Sequence, residues 1–484
     1  MSTIAFSNAA ALLAQARAHL HADRYRAGRD GVLALRAPSD DLAAQQEYVR
    51  LLNILVEPRR TLRVLHDADI ERWPVPWLLE CAMIASTFGD QPLARRFGDD
   101  ALRRAPNDAA AHHVDGVLQV FAGNLSAASA AFERALALAA AHAPAHWALA
   151  RIGSPDAQRA ERVRRQLVHV APGSEAEILL QFALHHELHK LERYDDAWSA
   201  LARGCALKRR HLRYDHRATL SLFDDVIARW TREFCAGAAD AAGDSVPVFI
   251  VGMHRSGTTV LEGLLGGHPQ IADLGENYDF TAQLRLAADH YCAGALDRVI
   301  VARAAEIDFA EVGRNYLAEV GARARGARMF TEKLPSNFLN MGSMAKALPQ
   351  AKFLHLVRDA RDLCYSNLRM LYSHVNGYSY EQRELADFYR GYQRLMAHWH
   401  AALPGRVLDV SYRELVRDTE RVVRAVCDFL ELPFEPAMLR VDAARRVTTA
   451  SAAQVRGGIR PPGEPEWKAY ELKLQPLFAA LQDE

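Results

Sequence analysis

Near its midpoint the chain changes grammar. Up to residue 235 it is rich in Ala, Leu and Arg, carries almost no β-branched runs, and reads as one helix after another. The segment Ala236–Asp244 (AGAADAAGD) is small and polar, as a linker is. From Val246 onward apolar strand-like runs (Val246–Val251, Gln270–Leu274, Ala327–Thr331, Ala351–Val357, Arg406–Val410) alternate with helical stretches (Thr258–Leu265, Asn337–Leu348, Ala360–Tyr372, Glu381–Leu403, Glu414–Leu430). Such alternation predicts an α/β unit with a parallel sheet covered on both faces. The chain therefore divides into an all-α unit over 1–235, a linker over 236–245 and an α/β unit over 246–484. A length of 484 residues is itself too much for one hydrophobic core.

The helical half carries an internal period. Turns at Phe88-Gly89-Asp90 and Ala122-Gly123-Asn124 lie 34 residues apart, and the same interval separates Ala94 from Ala128 and Ala101 from Ala135. Small residues at matched positions let antiparallel helices approach closely, and 34 is the period of tetratricopeptide helix pairs. A tetratricopeptide-like helical solenoid is expected, with a plain helical bundle as the alternative. Gly153-Ser154-Pro155 breaks the spacing, and the segment Leu51–Trp77 fits it poorly. A solenoid would offer a concave face to a peptide or protein partner.

Charge narrows the function classes. Lys+Arg and Asp+Glu both total 59, a formal net charge of +0, which excludes a strongly basic nucleic-acid binder. The 6 cysteines are scattered, with no C-x-x-C pair, and read as buried reduced thiols. No basic stretch precedes the first apolar residues, and no run is long enough for a membrane span, so the cytoplasm is the expected address. The run His185-His186-Glu187-Leu188-His189 is not H-E-x-x-H, and no metal is expected.

The first strand-like run leads into Gly252-Met253-His254-Arg255-Ser256-Gly257-Thr258-Thr259 and then a helix. In this context backbone N–H groups cradle an anion at a helix N-terminus. The G-x-x-x-x-G spacing fits a nucleotide P-loop, but Thr258 stands where an NTPase needs Lys. That argues against a magnesium-bound triphosphate and for a less charged group, gripped by the one guanidinium inside the loop, Arg255.

The run P-V-F-I-V-G-M-H-R-S-G-T-T resembles the 5′-phosphosulfate loop of sulfotransferases, which use 3′-phosphoadenylyl sulfate (PAPS). Phe353–Asn367 (F-L-H-L-V-R-D-A-R-D-L-C-Y-S-N) resembles the family's 3′-phosphate motif, where an Arg ends a strand and a Ser lies eight residues on; here these are Arg358 and Ser366. The resemblance covers roughly Val246 to Tyr470. It implies that Arg255, Ser256, Gly257, Thr258 and Thr259 hold the 5′-phosphosulfate, and that Arg358 and Ser366 hold the 3′-phosphate. Ungapped alignment from Arg255 puts Glu276 on the catalytic glutamate of protein-tyrosine sulfotransferases, although Asn277 stands where they have a second carboxylate. The resemblance further implies Lys333, in T-E-K-L-P, at the bridging oxygen of the leaving group, Ser451 near the transferring group, Tyr412 near the nucleotide and Arg456 in a Gly-rich cap. Trp467 and Lys468 are lid candidates, and His254 and His268 are alternative bases.

Chain geometry agrees with the assignment. Ligands bind outside the carboxyl ends of strands in an open parallel sheet, and Arg255, Glu276, Lys333 and Arg358 each follow a predicted strand. The expected activity is transfer of a sulfuryl group from PAPS to an acceptor hydroxyl, on a small molecule or a peptide tyrosine. Glu276 would act as base and no metal would be needed. The rival readings are a P-loop kinase or other NTPase, and a non-catalytic repeat scaffold. Tyr278–Asp308 and Leu371–Glu381 read as variable loops that shape the acceptor pocket.

Overall fold

A computed structural model of the chain describes residues 3–38, 41–236, 245–372, 375–440 and 463–482; most of the linker lies outside them. Fourteen helices occupy the described part of the first half, from Thr3–His21 to Arg232–Cys235. Their starts follow aspartates: Asp41, Asp90, Asp108, Asp156 and Asp215 each accept a hydrogen bond from a first-turn N–H that has no intrahelical partner. Gly89 (φ 82°) and Gly123 (φ 88°) end their helices in the left-handed region that glycine enters without strain.

The 34-residue period is real in three dimensions. Helices Val75–Thr87 and Ala109–Ala122 are equivalent, as are Gln91–Arg104 and Leu125–Leu138, and the small residues Ala94, Ala101, Ala128 and Ala135 are all fully buried at the contacts. The helical region thus fits tetratricopeptide-like repeats. Its irregular stretches have local causes: Pro58 and Pro74 punctuate 51–77, and the chain pauses at 153–156 before helix Ala157–Leu167. Among the described residues no helix is long and apolar enough to cross a membrane.

The second half forms a five-stranded parallel sheet: β1 (Val246–Val251), β2 (Ile271–Asp273), β3 (Met329–Lys333), β4 (Lys352–Val357) and β5 (Val407–Ser411). Their spatial order is β2-β3-β1-β4-β5. β1 is buried throughout and its side chains alternate. Val246, Val248 and Ile250 pack with Leu261, Leu264 and Val426 on one face, while Phe249 and Val251 join a larger core on the other. Several boundaries depart from the sequence reading. Helix 337–348 is a 3-10 turn Pro335–Leu339 followed by Met341–Ala347, and helix 414–430 divides at Asp418, which caps Thr419–Leu430. The segment 278–308 is no loop: it contains helices Asp279–Ala288 and Arg298–Ala302.

The larger core runs across the linker. It joins Phe182, Phe223 and Trp230 of the helical half to Phe338, Phe388 and Trp399 of the α/β half. Phe223 lies 5.3 Å from Phe388, centroid to centroid, and helix Gln382–Ala402 presents Gly391 beneath it, where any Cβ would come within 2.5 Å of the ring. The fully buried Trp230 and Trp399 sit 6.5 Å apart. Residues 143–235 are therefore packed onto the sheet's covering helices; the earlier repeats build further clusters, the first of which packs against Leu286 of the α/β half.

The His185–His189 run lines this seam. His185 Nδ1 donates to the Ala197 carbonyl (2.9 Å), His186 Nε2 to the Arg369 carbonyl (3.3 Å), and His189 Nδ1 bonds the Tyr470 hydroxyl (2.8 Å). Burial first, and the Arg369 guanidinium second, push all three imidazoles below their usual value, His189 to about 4. An unfolded imidazole protonates near pH 6.5, so the unfolded state takes up protons before the folded one. The stability these neutral rings contribute is complete above about pH 6.5 and is lost as pH falls toward 4. Urea midpoints measured between pH 7 and 4.5 should fall steeply, and His189→Gln should flatten the slope by about one proton; an unchanged slope would contradict the burial of this ring as neutral imidazole.

Candidate active site

The carboxyl ends of all five strands share one edge of the sheet, and the chain reverses its direction of travel across β1, which lies between β3 and β4. A crevice forms at such a switch point. β1 enters it through the glycine loop. Gly257 (φ 104°) precedes helix Thr258–Leu265 without any side-chain cap, so the first-turn N–H groups face the crevice. A Cβ on Gly257 would come within 2.3 Å of the Tyr412 ring, which closes one wall.

Arg255 adopts φ 71°, the left-handed region that side chains other than Gly, Asn and Asp seldom enter. Its surroundings hold it there. Its carbonyl accepts from Arg358 Nη1 (2.9 Å), its Nε donates to Ser366 Oγ (3.2 Å), and the preceding carbonyl, of His254, accepts from Asn367 Nδ2 (2.8 Å). The two sequence motifs therefore dock directly on each other. Asp359 does not pair with Arg358; it caps helix Ala360–Leu368 through the Arg361 and Asp362 N–H groups (3.0 and 3.1 Å). The Arg358 guanidinium instead stacks on Tyr412, 5.1 Å from the ring centroid.

Glu276 and Lys333 meet as the second element of the site. The turn after β2 is stitched to β3 by Leu274 N–H to the Thr331 carbonyl (2.9 Å) and Lys333 N–H to the Gly275 carbonyl (3.0 Å). Lys333 is the last residue of β3 rather than a residue beyond it, and is fully buried. Its ammonium forms an ion pair with Glu276 and lies 3.9 Å from Glu262. Asn277 is buried and turns inward, accepting the Asp279 N–H (3.3 Å) at the start of the next helix. A buried lysine without counter-charge would be costly; the pairing explains its tolerance.

Two polar groups at this edge are left unpaired. The buried Ser256 hydroxyl and Arg358 Nε have no hydrogen-bond partner among the described residues, and both belong to the two motifs. Burial first, then Lys333 and Arg255, push the His254 imidazole down to about 4, so this ring is neutral at physiological pH. His268 is excluded as a base by its contacts: Nε2 bonds the Pro433 carbonyl (3.0 Å) and Nδ1 accepts from Gln270 N–H (3.1 Å).

Residues 247–436 match the model of the sulfotransferase family. An uncharacterized protein of Aquifex aeolicus (strain VF5) is 30% identical over 312 residues, 62% of this chain and 41% of that protein. The protein-tyrosine sulfotransferase of Drosophila melanogaster is 24% identical over 207 residues, 40% of this chain and 39% of that protein. The chain thus spans about two fifths of the length of either relative. The sulfotransferase domain of the Synechococcus PCC 7002 olefin synthase is 22% identical, covering 49% of this chain and 94% of its own, with a TM-score of 0.29. The α/β half is a sulfotransferase-family domain.

Several parts of this sulfotransferase domain were not foreseen from sequence. Asn367 bridges the two motifs, and its Oδ1 accepts from the Tyr372 hydroxyl (2.9 Å). Its place directly after Ser366 was the only signal. Arg151 comes from the helical half: burial first, then the charge of Arg255, lower its pKa to about 10. Arg323, at the end of helix Phe309–Ala324, pairs with the buried Asp279. Trp467 packs edge-on against Phe478 (5.2 Å), beneath Arg361. Ser451 and Arg456 lie outside the described residues.

The loop geometry yields a test. Gly257→Ala combines a positive φ with overlap of the Tyr412 ring, and should destabilise the folded chain by about 1–3 kcal/mol. Tyr412→Ala in the same chain should recover the steric part and leave the backbone part. Urea unfolding of the single and double variants separates the two; full additivity would mean that Gly257 and Tyr412 are not in contact.

Proposed function

We propose that the chain transfers a sulfuryl group from PAPS to an acceptor hydroxyl, with the tyrosine hydroxyl of a peptide as the acceptor class. The observation that carries this reading is the juxtaposition of Glu276 with Lys333 on the strand edge that also bears the glycine loop. In-line sulfuryl transfer needs a base for the acceptor proton and a cation for the leaving oxygen. Here both stand side by side.

Each residue then has a distinct task. The uncapped N–H groups of helix Thr258–Leu265, the Ser256 hydroxyl and Arg255 bind the 5′-phosphosulfate. Arg358 and Ser366 bind the 3′-phosphate, and Tyr412 backs the Arg358 plane. When the donor enters, its negative charge draws Lys333 away from Glu276 and frees the carboxylate. Glu276 takes the acceptor proton as the acceptor oxygen bonds to sulfur. The bond from sulfur to the phosphate oxygen breaks, and Lys333 neutralises the charge that develops there. The products are a sulfate ester, adenosine 3′,5′-bisphosphate and a protonated Glu276, which returns its proton to solvent. Positioned cations supply the electrostatic stabilisation throughout. Thr258 in place of the P-loop lysine disfavours a nucleoside triphosphate.

Transfer of labelled sulfate from PAPS to tyrosyl peptides tests the reading. Glu276→Gln should lower kcat by about 10²-fold or more while leaving bisphosphate binding intact. Arg358→Ala should weaken binding of adenosine 3′,5′-bisphosphate by about 10–100-fold, with little effect on adenosine 5′-phosphate, because the lost charge-assisted contact serves only the 3′ group. Binding of ATP more tightly than the bisphosphate would favour the kinase reading. Unaltered transfer by Glu276→Gln would remove the assigned base.

A further inference from the structure

On the opposite side of β4 from the loop helix, the structure brings together three ligand-type side chains that the transfer reaction does not use. His355 of β4 and Asp409 of β5 are register partners on adjacent strands and so point to one face. Helix Gln382–Ala402 crosses that face and delivers His400. His355 Nδ1 lies 2.7 Å from Asp409 Oδ1, and His400 Nε2 lies 2.9 Å from the same oxygen. Ligand atoms of all three lie within 4.8 Å of one another. A cavity of about 260 Å³ opens beside them, walled by Tyr389, Tyr392 and Met396.

We propose that His355, His400 and Asp409 bind a divalent first-row transition ion, such as Zn²⁺ or Co²⁺, at a site separate from the transfer centre. Two imidazoles and one carboxylate form a borderline donor set that suits these ions better than Mg²⁺ or Ca²⁺. Bonds of about 2.0–2.2 Å to the ion require the donors to spread by roughly 0.5 Å from their present separations. The outer two can do so, since the side chains of His400 and Asp409 are 41% and 50% exposed. The inner one is fixed. His355 is buried, and its second nitrogen bonds the Tyr392 hydroxyl, the kind of outer contact that orients a ligating imidazole. Water would complete the coordination from the exposed side.

The position gives the ion a structural consequence. It would tie edge strand β5 to β4 and to the covering helix, and β5 ends at Ser411, immediately before Tyr412 of the donor wall. Tyr392 also bonds the backbone of Met253 in the glycine loop. Arg358 lines the same cavity, but its Nη1 is directed to the Arg255 carbonyl.

Titration of the full chain, stripped by a chelator, with Co²⁺ tests the site through visible d–d absorption. One ion per chain should bind, Zn²⁺ should displace it, and Zn²⁺ should raise the unfolding temperature. His400→Ala and Asp409→Ala change half-exposed side chains and should fold; each should weaken Co²⁺ binding by about 100-fold or more, and abolish the thermal shift. Tyr392→Phe should weaken it by about 10–100-fold while keeping the absorption band. His400→Ala should retain metal-free sulfuryl transfer. Absence of stoichiometric Co²⁺ binding, or binding that both alanine variants leave unchanged, would overturn the proposal.

Discussion

The glycine loop keeps its shape because a second motif, more than a hundred residues further on, is bonded to its carbonyls. Arg255 in the left-handed region costs about 1–3 kcal/mol, and such strain persists only where neighbours over-determine it. Three contacts do so here: Arg358 to the Arg255 carbonyl, Asn367 to the His254 carbonyl, and Arg255 to Ser366. Hydrogen bonds from charged groups contribute about 1.5–3 kcal/mol each, enough to outweigh the strain. All depend on β1 and β4 being register neighbours, since only then does each strand's exit face the other. The parallel pairing of two central strands is thus what brings two separate sequence motifs into one place.

The pairing of Lys333 with Glu276 adds a second constraint on the same edge. A fully buried ammonium needs a counter-charge, and without a donor Glu276 supplies it. Glu262, at 3.9 Å, prevents the ammonium from becoming isolated if Glu276 moves. A cation between two carboxylates can change partners without leaving its pocket, so on the proposed reading exchange of Glu276 for a phosphosulfate oxygen would need little reorganisation. That is the electrostatic preorganisation on which acyl- and sulfuryl-type transfers rely.

The parts of this arrangement that could be read from sequence were those encoded locally. The strand–glycine–helix run, the Arg and Ser eight residues apart and the 34-residue period all concern residues whose roles follow from near neighbours. Gly257 shows the limit. Its place in a tight loop was legible, but the Tyr412 ring that forbids a Cβ there arrives from β5. The boundary of β3 was misjudged because Glu332 and Lys333 look like the end of an apolar run, whereas Tyr316, Asn337 and Glu276 satisfy them inside. Arg323 is silent in the sequence for the same reason: its partner, Asp279, lies 44 residues away. Tertiary pairing of charged residues leaves no periodic trace. The seam between the halves left none either, since Phe223 and Trp230 are ordinary helix-face residues until Gly391 and Trp399 are brought against them.

That seam determines how the repeats relate to the chemistry. Helix Ala360–Leu368 carries Ser366 and Asn367 on its crevice side, and the next residue, Arg369, meets His186 of the helical half through its carbonyl and its guanidinium. The Cys205 thiol, also from the helical half, bonds the Leu368 carbonyl at 3.4 Å. The motif helix is therefore clamped between the glycine loop and the repeats, and cannot shift toward one without loosening the other. Close-packed interiors transmit displacement rather than absorb it. Arg151 extends the same logic into electrostatics, since a cation on helix Ala143–Ile152 acts on Arg255 only while the two halves stay packed. The helical residues from 143 onward thus back the motif helix, while the first helices reach the α/β half by a separate route, through Arg26 to the Leu286 and Ala287 carbonyls and Arg59 to the Ala318 and Glu319 carbonyls.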